Sequence, residues 1–330
     1  MSLRDQPLFT SEVNRRAFMP PAGASYIQGS LALEDRTAPT DEWLAEAETA
    51  GVVIISITAQ SADAMTLEGG PLAATELQLR DAGSLERLLS TLAQPIFIDV
   101  TGLAHRTWAP LLRAATQIGA DFALVYVEPA TYTRSPAPAP GLIFDLSVRI
   151  EGISPLPGFA RLNSADDVDS CFVPMLGFEG DRLAHMLESV QAPVDRTFPL
   201  IGVPGFRPEF PFYSYLGNRL QLESEHLHAN VHFAKANCPF EAFHALHRID
   251  RELLPSTMRI APIGTKPHAI AAVLYALARP GRVELVYDHP VRKDRRTSGA
   301  ARVCIYRVSQ FVSTELFMGT GAFEQASGAP

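Results

Sequence analysis

The sequence predicts an α/β protein built from Rossmann-like, mainly parallel sheets flanked by helices and arranged in two lobes. Three observations carry that expectation. Short apolar runs rich in β-branched residues recur along the chain, each closed by a Gly- or Pro-bearing loop and often followed by helical periodicity, which is the grammar of parallel βα units. The 330 residues exceed the ~150 typical of one domain. Hydrophobic residues make up 47% and charged residues 19%, ample for a buried core and incompatible with disorder of the whole chain.

The first lobe is expected over residues 1–150. Tyr26 to Leu33 reads as an edge strand. Gly51 to Thr58 and Pro95 to Val100 read as buried strands, being short, β-branched and apolar almost throughout. Trp108, Leu111, Leu112, Ala115 and Ile118 share one face of the helix that follows, and Phe122 to Val127 is a third buried strand. Thr133 to Gly141, with prolines at alternate positions, reads as a linker or surface crossing. Irregular sequence continues to about Ala165, which places the domain boundary there.

The second lobe, residues 165–318, repeats the pattern more regularly. Strands are expected at Cys171 to Leu176, Pro199 to Val203, Asn230 to Ala234, Met258 to Ile263 and Arg282 to Tyr287. Helices are expected around Leu183 to Val190, Phe243 to Leu253 and Ile270 to Leu277. Residues 319–330 read as a flexible tail.

Lys plus Arg is 28 and Asp plus Glu is 36, a formal net charge of −8, which argues against a broad nucleic-acid surface. The three scattered cysteines, Cys171, Cys238 and Cys304, fit reduced buried thiols better than a disulfide framework or a zinc site. No apolar leader opens the sequence and no run approaches the ~18 apolar residues of a membrane span, so a cytoplasmic address is expected.

In sheets of this type ligands gather at the carboxyl ends of strands. The first candidate is Ile263 to Ala269, IGTKPHA. There Gly264 permits a tight turn, Thr265 offers a hydroxyl, Lys266 supplies a point charge, and free amides up to His268 open a helix whose N-terminus favours an anion. An ordinary βα turn with Pro267 in the first helical turn explains the same residues. The second is Asp99 to Arg106, DVTGLAHR, in which Thr101, Gly102 and Arg106 would contact a small polar ligand. Asp99 and His105, with Glu128 at the end of the next strand, form the candidate set for proton transfer. Helix capping by Asp99 or Thr101 is the plainer alternative. Glu179 in GFEG suits a helix start, and the run Arg292 to Arg296 is a solvated turn or a phosphate clamp near Lys266. His226, His228, His232, His244 and His247 lack metal-ligand context and read as solvated or core residues, so no metal is expected. Cys238 at a helix start has no assignable base.

The strand followed by Gly264-Thr265-Lys266 and an apolar helix resembles the signature loop of CRISPR-associated Rossmann-fold (CARF) ligand-sensing domains of prokaryotic defence. That pattern usually has a second Gly before the triplet, where this chain has Ile263, and Met or a similar residue after it, where this chain has Pro267. Asp99 to Gly102 resembles the strand-end half of the same pattern without the Thr-Lys. The resemblance implies a nucleotide or phosphorylated-ligand recognition protein, a sensor or accessory subunit in antiviral defence, with Thr265 and Lys266 carried over. The expected partners are a phosphate-bearing small ligand and either a protein partner or a second copy. Two other readings stay open: an enzyme acting on a nucleotide or phosphorylated small molecule, and a protein-binding scaffold. No cofactor is assigned.

Overall fold

The computed structural model describes residues 9–30, 34–139, 142–160 and 169–319. The protein is mixed α/β, and its largest sheet has eight strands. The chain divides into two compact units: Met1–Tyr132 with Thr297–Met318 form the first, and Thr133–Arg296 build the second.

In the first unit the chain runs through β1 (Thr10–Asn14), β2 (Ser25–Gly29), α1 (Asp41–Thr49), β3 (Val53–Gln60), β4 (Ala64–Gly69), β5 (Leu72–Gln78), α2 (Ala82–Thr91), β6 (Ile96–Asp99), α3 (His105–Gln117) and β7 (Phe122–Tyr132). The second unit follows with β8 (Cys171–Pro174), α4 (Gly180–Val190), β9 (Leu200–Gly202), α5 (Phe210–Ser224), β10 (His232–Ala234), α6 (Pro239–Leu253), β11 (Met258–Ala261), α7 (Lys266–Ala278) and β12 (Val283–Tyr287). The chain then re-enters the first unit as β13 (Thr297–Tyr306) and α8 (Val308–Val312).

The strands of the first sheet lie in the order β1, β13, β7, β6, β2, β3, β4, β5. Strands β7, β6, β2 and β3 are mutually parallel, whereas β13, β1, β4 and β5 are added antiparallel. Tyr26 therefore belongs to a central strand with all five residues buried, not to an edge. Its mixed composition disguised it: Ser25 and Gln28 interrupt the apolar run that marks a buried strand. The expected C-terminal lobe ending at 318 is corrected in the same way, because β13 pairs between β1 and β7. Such pairing joins residues far apart in sequence, and no local periodicity records it.

In the second unit β8, β11 and β12 pair in parallel, as do β9 and β10. Parallel bridges from Phe172 to Thr197 and from Met175 to Leu200 join β8 to β9. The spatial order is thus β10, β9, β8, β11, β12, with the order reversing between β8 and β11. Phe172, Leu183, Met186, Ile201 and Leu222 pack together in its core. The expected linker Thr133 to Gly141 includes a strand, Arg134–Ala139, paired with Leu142–Phe144; residues 140 and 141 lie outside the described residues. Prolines are tolerated there because an outer strand can spare amide donors. From residue 320 the expected tail also lies outside the described residues.

Candidate ligand cavity at the carboxyl ends of strands β2 and β6

In the first unit the parallel strand order reverses between β2 and β6, so the loops leaving their carboxyl ends part to opposite sides of the sheet and open a crevice. The register places Tyr26, Phe97, Asp99, Val125, Val127 and Val303 on one face of the sheet. Helix α1 comes to that face: Phe18, Tyr26, Ala47 and Val125 pack together, with Trp43 against them. Thr40 caps α1, its hydroxyl accepting from the Trp43 amide at 3.2 Å, and Asp41 and Glu42 complement the helix dipole in the first turn.

Between these walls lies a cavity of about 550 Å³, within the ~300–1,000 Å³ range of small-molecule sites. Asp99, Tyr26, Trp43, Phe18, Arg15 and Arg36 line it, with Glu42 and Glu46 of α1. Asp99 is buried at the end of β6, accepting from the Tyr26 hydroxyl at 2.7 Å and from the Thr101 amide at 2.8 Å. Burial, reinforced by the Asp99 charge and its hydrogen bond, holds the Tyr26 phenol well above its ordinary pKa and so keeps it neutral. The Trp43 indole is held by its Nε1–H donating to the Phe18 carbonyl at 2.8 Å. Trp43 and Tyr26 centroids are 5.0 Å apart, and Phe18 stacks with Trp43 at 6.2 Å. The result is an aromatic corner whose two polar tips are both tied down.

Arg36 is buried, donating through Nε to Glu34 at 3.0 Å and through Nη1 to the Val127 carbonyl at 2.7 Å. A buried ion pair of this kind gives little net stability, yet removing one partner strands the other at a cost of about 3–5 kcal/mol. Arg15 donates to the carbonyls of Asp35 at 3.1 Å and Ala38 at 2.9 Å, clamping the loop that follows β2.

Of the residues expected from sequence, Asp99 lines this cavity. Thr101 spends its hydroxyl accepting from the Val127 amide at 2.9 Å. Gly102 abuts the loop after β2, where a Cβ would stand 2.6 Å from the Thr37 carbonyl. His105 is buried in the first turn of α3 with its ring 5.2 Å from that of Trp108, and Arg106 is half-buried beside it. Glu128 accepts from Arg302 Nε at 3.2 Å, and Arg302 also reaches Glu12 at 2.5 Å. These two ion pairs tie β7 to β13 and β13 to β1.

The second group of expected residues lies in the other unit. Gly264 packs against the loop after β8 so closely that a Cβ would sit 2.4 Å from the Leu176 carbonyl. Thr265 caps α7, accepting from the His268 amide, and its hydroxyl donates to Ala236 O at 2.9 Å. His268 is fully buried with Nε2 3.2 Å from Lys235 O, and desolvation lowers its pKa to about 4. Lys266 is 6% exposed. Beside them lies a bidentate ion pair, Arg182 to Asp288 at 2.6 and 2.7 Å, and Arg182 also donates to Ile263 O at 2.8 Å. Thr265 and His268 thus hold α7 to the loop after β10, which fits the plainer βα-turn reading of those two side chains.

Two side features also find their places. Glu179 accepts from the Leu146 amide and the Ser147 hydroxyl, both at 2.9 Å. In the basic run, Arg292 ends a short strand paired with Ser147–Ile150 and Lys293 pairs with Asp145. Cys238 is the buried N-cap of α6. Among the described residues no group of three or more His, Cys, Asp or Glu is placed to hold a metal ion, and no helix is long and apolar enough to cross a membrane.

Sequence reading missed Arg15, Tyr26, Arg36 and Trp43. A signal existed for Trp43, because Thr40-Asp41-Glu42 is a capped, acidic helix start. A scan against protein-family models finds no match for this chain, and a search of curated proteins finds none.

Proposed function

We propose that this protein recognises a small organic molecule in the cavity at the carboxyl ends of β2 and β6. One observation carries the reading: the cavity coincides with the reversal of strand order, where doubly wound sheets hold their ligands, and its aromatic wall is fixed before any ligand arrives. On this reading both units are Rossmann-like lobes, and the first carries the ligand. The test is mass spectrometry of small molecules released from the purified chain. A compound should accompany the wild type and be lost from Glu46→Trp, which fills the mouth from an exposed helical position. Equal recovery from both proteins would overturn the assignment.

A second reading keeps the nucleotide or phosphorylated ligand at Gly264 to His268, where a sensing role in defence rests on the CARF resemblance. Its support is the burial of Lys266 at the start of α7, where an ammonium beside helix amides suits an anion. The same release experiment on Lys266→Ala separates the two: a phosphorylated compound lost from this variant and kept by Glu46→Trp would move the site to the second unit.

A further inference from the structure

Resting on the cavity reading, we infer that its ligand is an organic cation: a protonated amine or amidine carried on a planar or aromatic body. The argument begins with what each charged group around the cavity already does. Two guanidiniums face three carboxylates. Both guanidiniums already hold structure together. Arg36 is neutralised by buried Glu34 and bonded to a strand carbonyl. Arg15 is committed through both terminal nitrogens to the carbonyls of Asp35 and Ala38. An anionic ligand that drew Arg36 away would strand Glu34 in the interior, and one on Arg15 would be restricted to the donors left over from its clamp on the loop.

Two of the three carboxylates are disposed otherwise, Asp99 being held by Tyr26 and Thr101. Asp99 sits buried, and Glu42 and Glu46 stand one helical turn apart on α1, exposed at the mouth. Among the described residues neither glutamate side chain has an ion-pair or hydrogen-bond partner. With Arg36 neutralised by Glu34, the lining sets three carboxylates against the single charge of Arg15, and a concave wall with an excess of one sign concentrates ligands of the other.

The aromatic corner points the same way for an independent reason. Trp43, Tyr26 and Phe18 line the cavity, and aromatic faces carry the negative part of the ring quadrupole, which attracts cations. Their orientation is set by the Trp43 bond to Phe18 O and the Tyr26 bond to Asp99, so binding spends little on ordering them. Apolar Val125, Val127 and Val303 supply the floor for the ligand's body.

The test uses three probes of one shape and three charges: benzylammonium, benzyl alcohol and benzoate, each titrated calorimetrically into the full-length chain. Benzylammonium should bind about ten-fold more tightly than benzyl alcohol, with benzoate weakest. The double variant Glu42→Gln, Glu46→Gln alters exposed positions, so its urea midpoint should fall only slightly, through the loss of Glu42 from the first turn of α1, while the preference for the cation shrinks several-fold. Binding of benzoate as tight as benzylammonium, or a preference indifferent to the double variant, overturns the inference and leaves the cavity assignment standing. If none of the probes binds yet a released compound depends on Glu46→Trp, the cation inference alone is overturned. If none binds and no compound is released, both readings fall.

Discussion

His268 shows how one side chain sets a pH dependence. In the folded protein desolvation lowers its pKa to about 4, from about 6.5 in the unfolded chain. Between those values the unfolded state binds a proton that the native state refuses, so stability falls as pH drops from about 6.5 to about 4 and levels off below. The loss approaches about 3 kcal/mol, since each pH step of one between the two values removes about 1.4 kcal/mol. His232 and His247, also lowered by burial, act in the same direction. Urea midpoints measured across this range should decline steeply for the wild type and less steeply for His268→Gln; parallel declines would refute the assignment. The histidine was visible in the sequence as part of a candidate anion loop. Its burial was not, because that depends on Lys235, 33 residues away.

At the scale of elements, the decisive contacts are loop against loop. The turns after β8 and β11 approach so closely that a Cβ on Gly177 would lie 2.9 Å from Ile263 O, and one on Gly264 would lie 2.4 Å from Leu176 O. Neither distance can be relieved by turning a side chain, because both partners are backbone. Gly264→Ala should therefore destabilise the protein by more than the ~1–3 kcal/mol of ordinary overpacking, read as a lowered urea midpoint; an unchanged midpoint would show that the two loops yield. The sequence announced the glycine as a turn former, which is half of its role. Strands β3, β6, β7, β8, β11 and β12 were legible because each is a short apolar run between breakers. The hairpin of β4 and β5 was not, since β5 is mostly exposed and its residues carry no apolar alternation. Asp99 was legible as a carboxylate closing an apolar strand. The cavity it lines was not, since Arg15, Tyr26, Arg36 and Trp43 come from four separate segments.

At the scale of the whole molecule, the second unit is an insertion in the first. The chain leaves at Tyr132 and returns at Thr297, direct partners across β7 and β13. The ends of the inserted segment are tied to one another, the Thr133 amide donating to Arg296 O at 2.9 Å and its hydroxyl to Arg295 O at 3.0 Å. A segment whose termini already meet tolerates excision. Residues 133–296 expressed alone should show a cooperative thermal transition by circular dichroism, whereas residues 1–132 should not, because they lack the strand that pairs β1 to β7. A cooperative transition in the shorter fragment would contradict this dependence.

The same interleaving dictates a timetable for biosynthesis. A nascent polypeptide extended N-terminus first must present the open edge of β7 until residues 297–306 have been made and have cleared the ribosome, long after β7 itself emerged. Throughout that interval an unsatisfied row of amides and carbonyls invites mispairing with a neighbouring chain, so yield during rapid overproduction should be limited by translation speed and chaperone supply more than by the endurance of the finished protein.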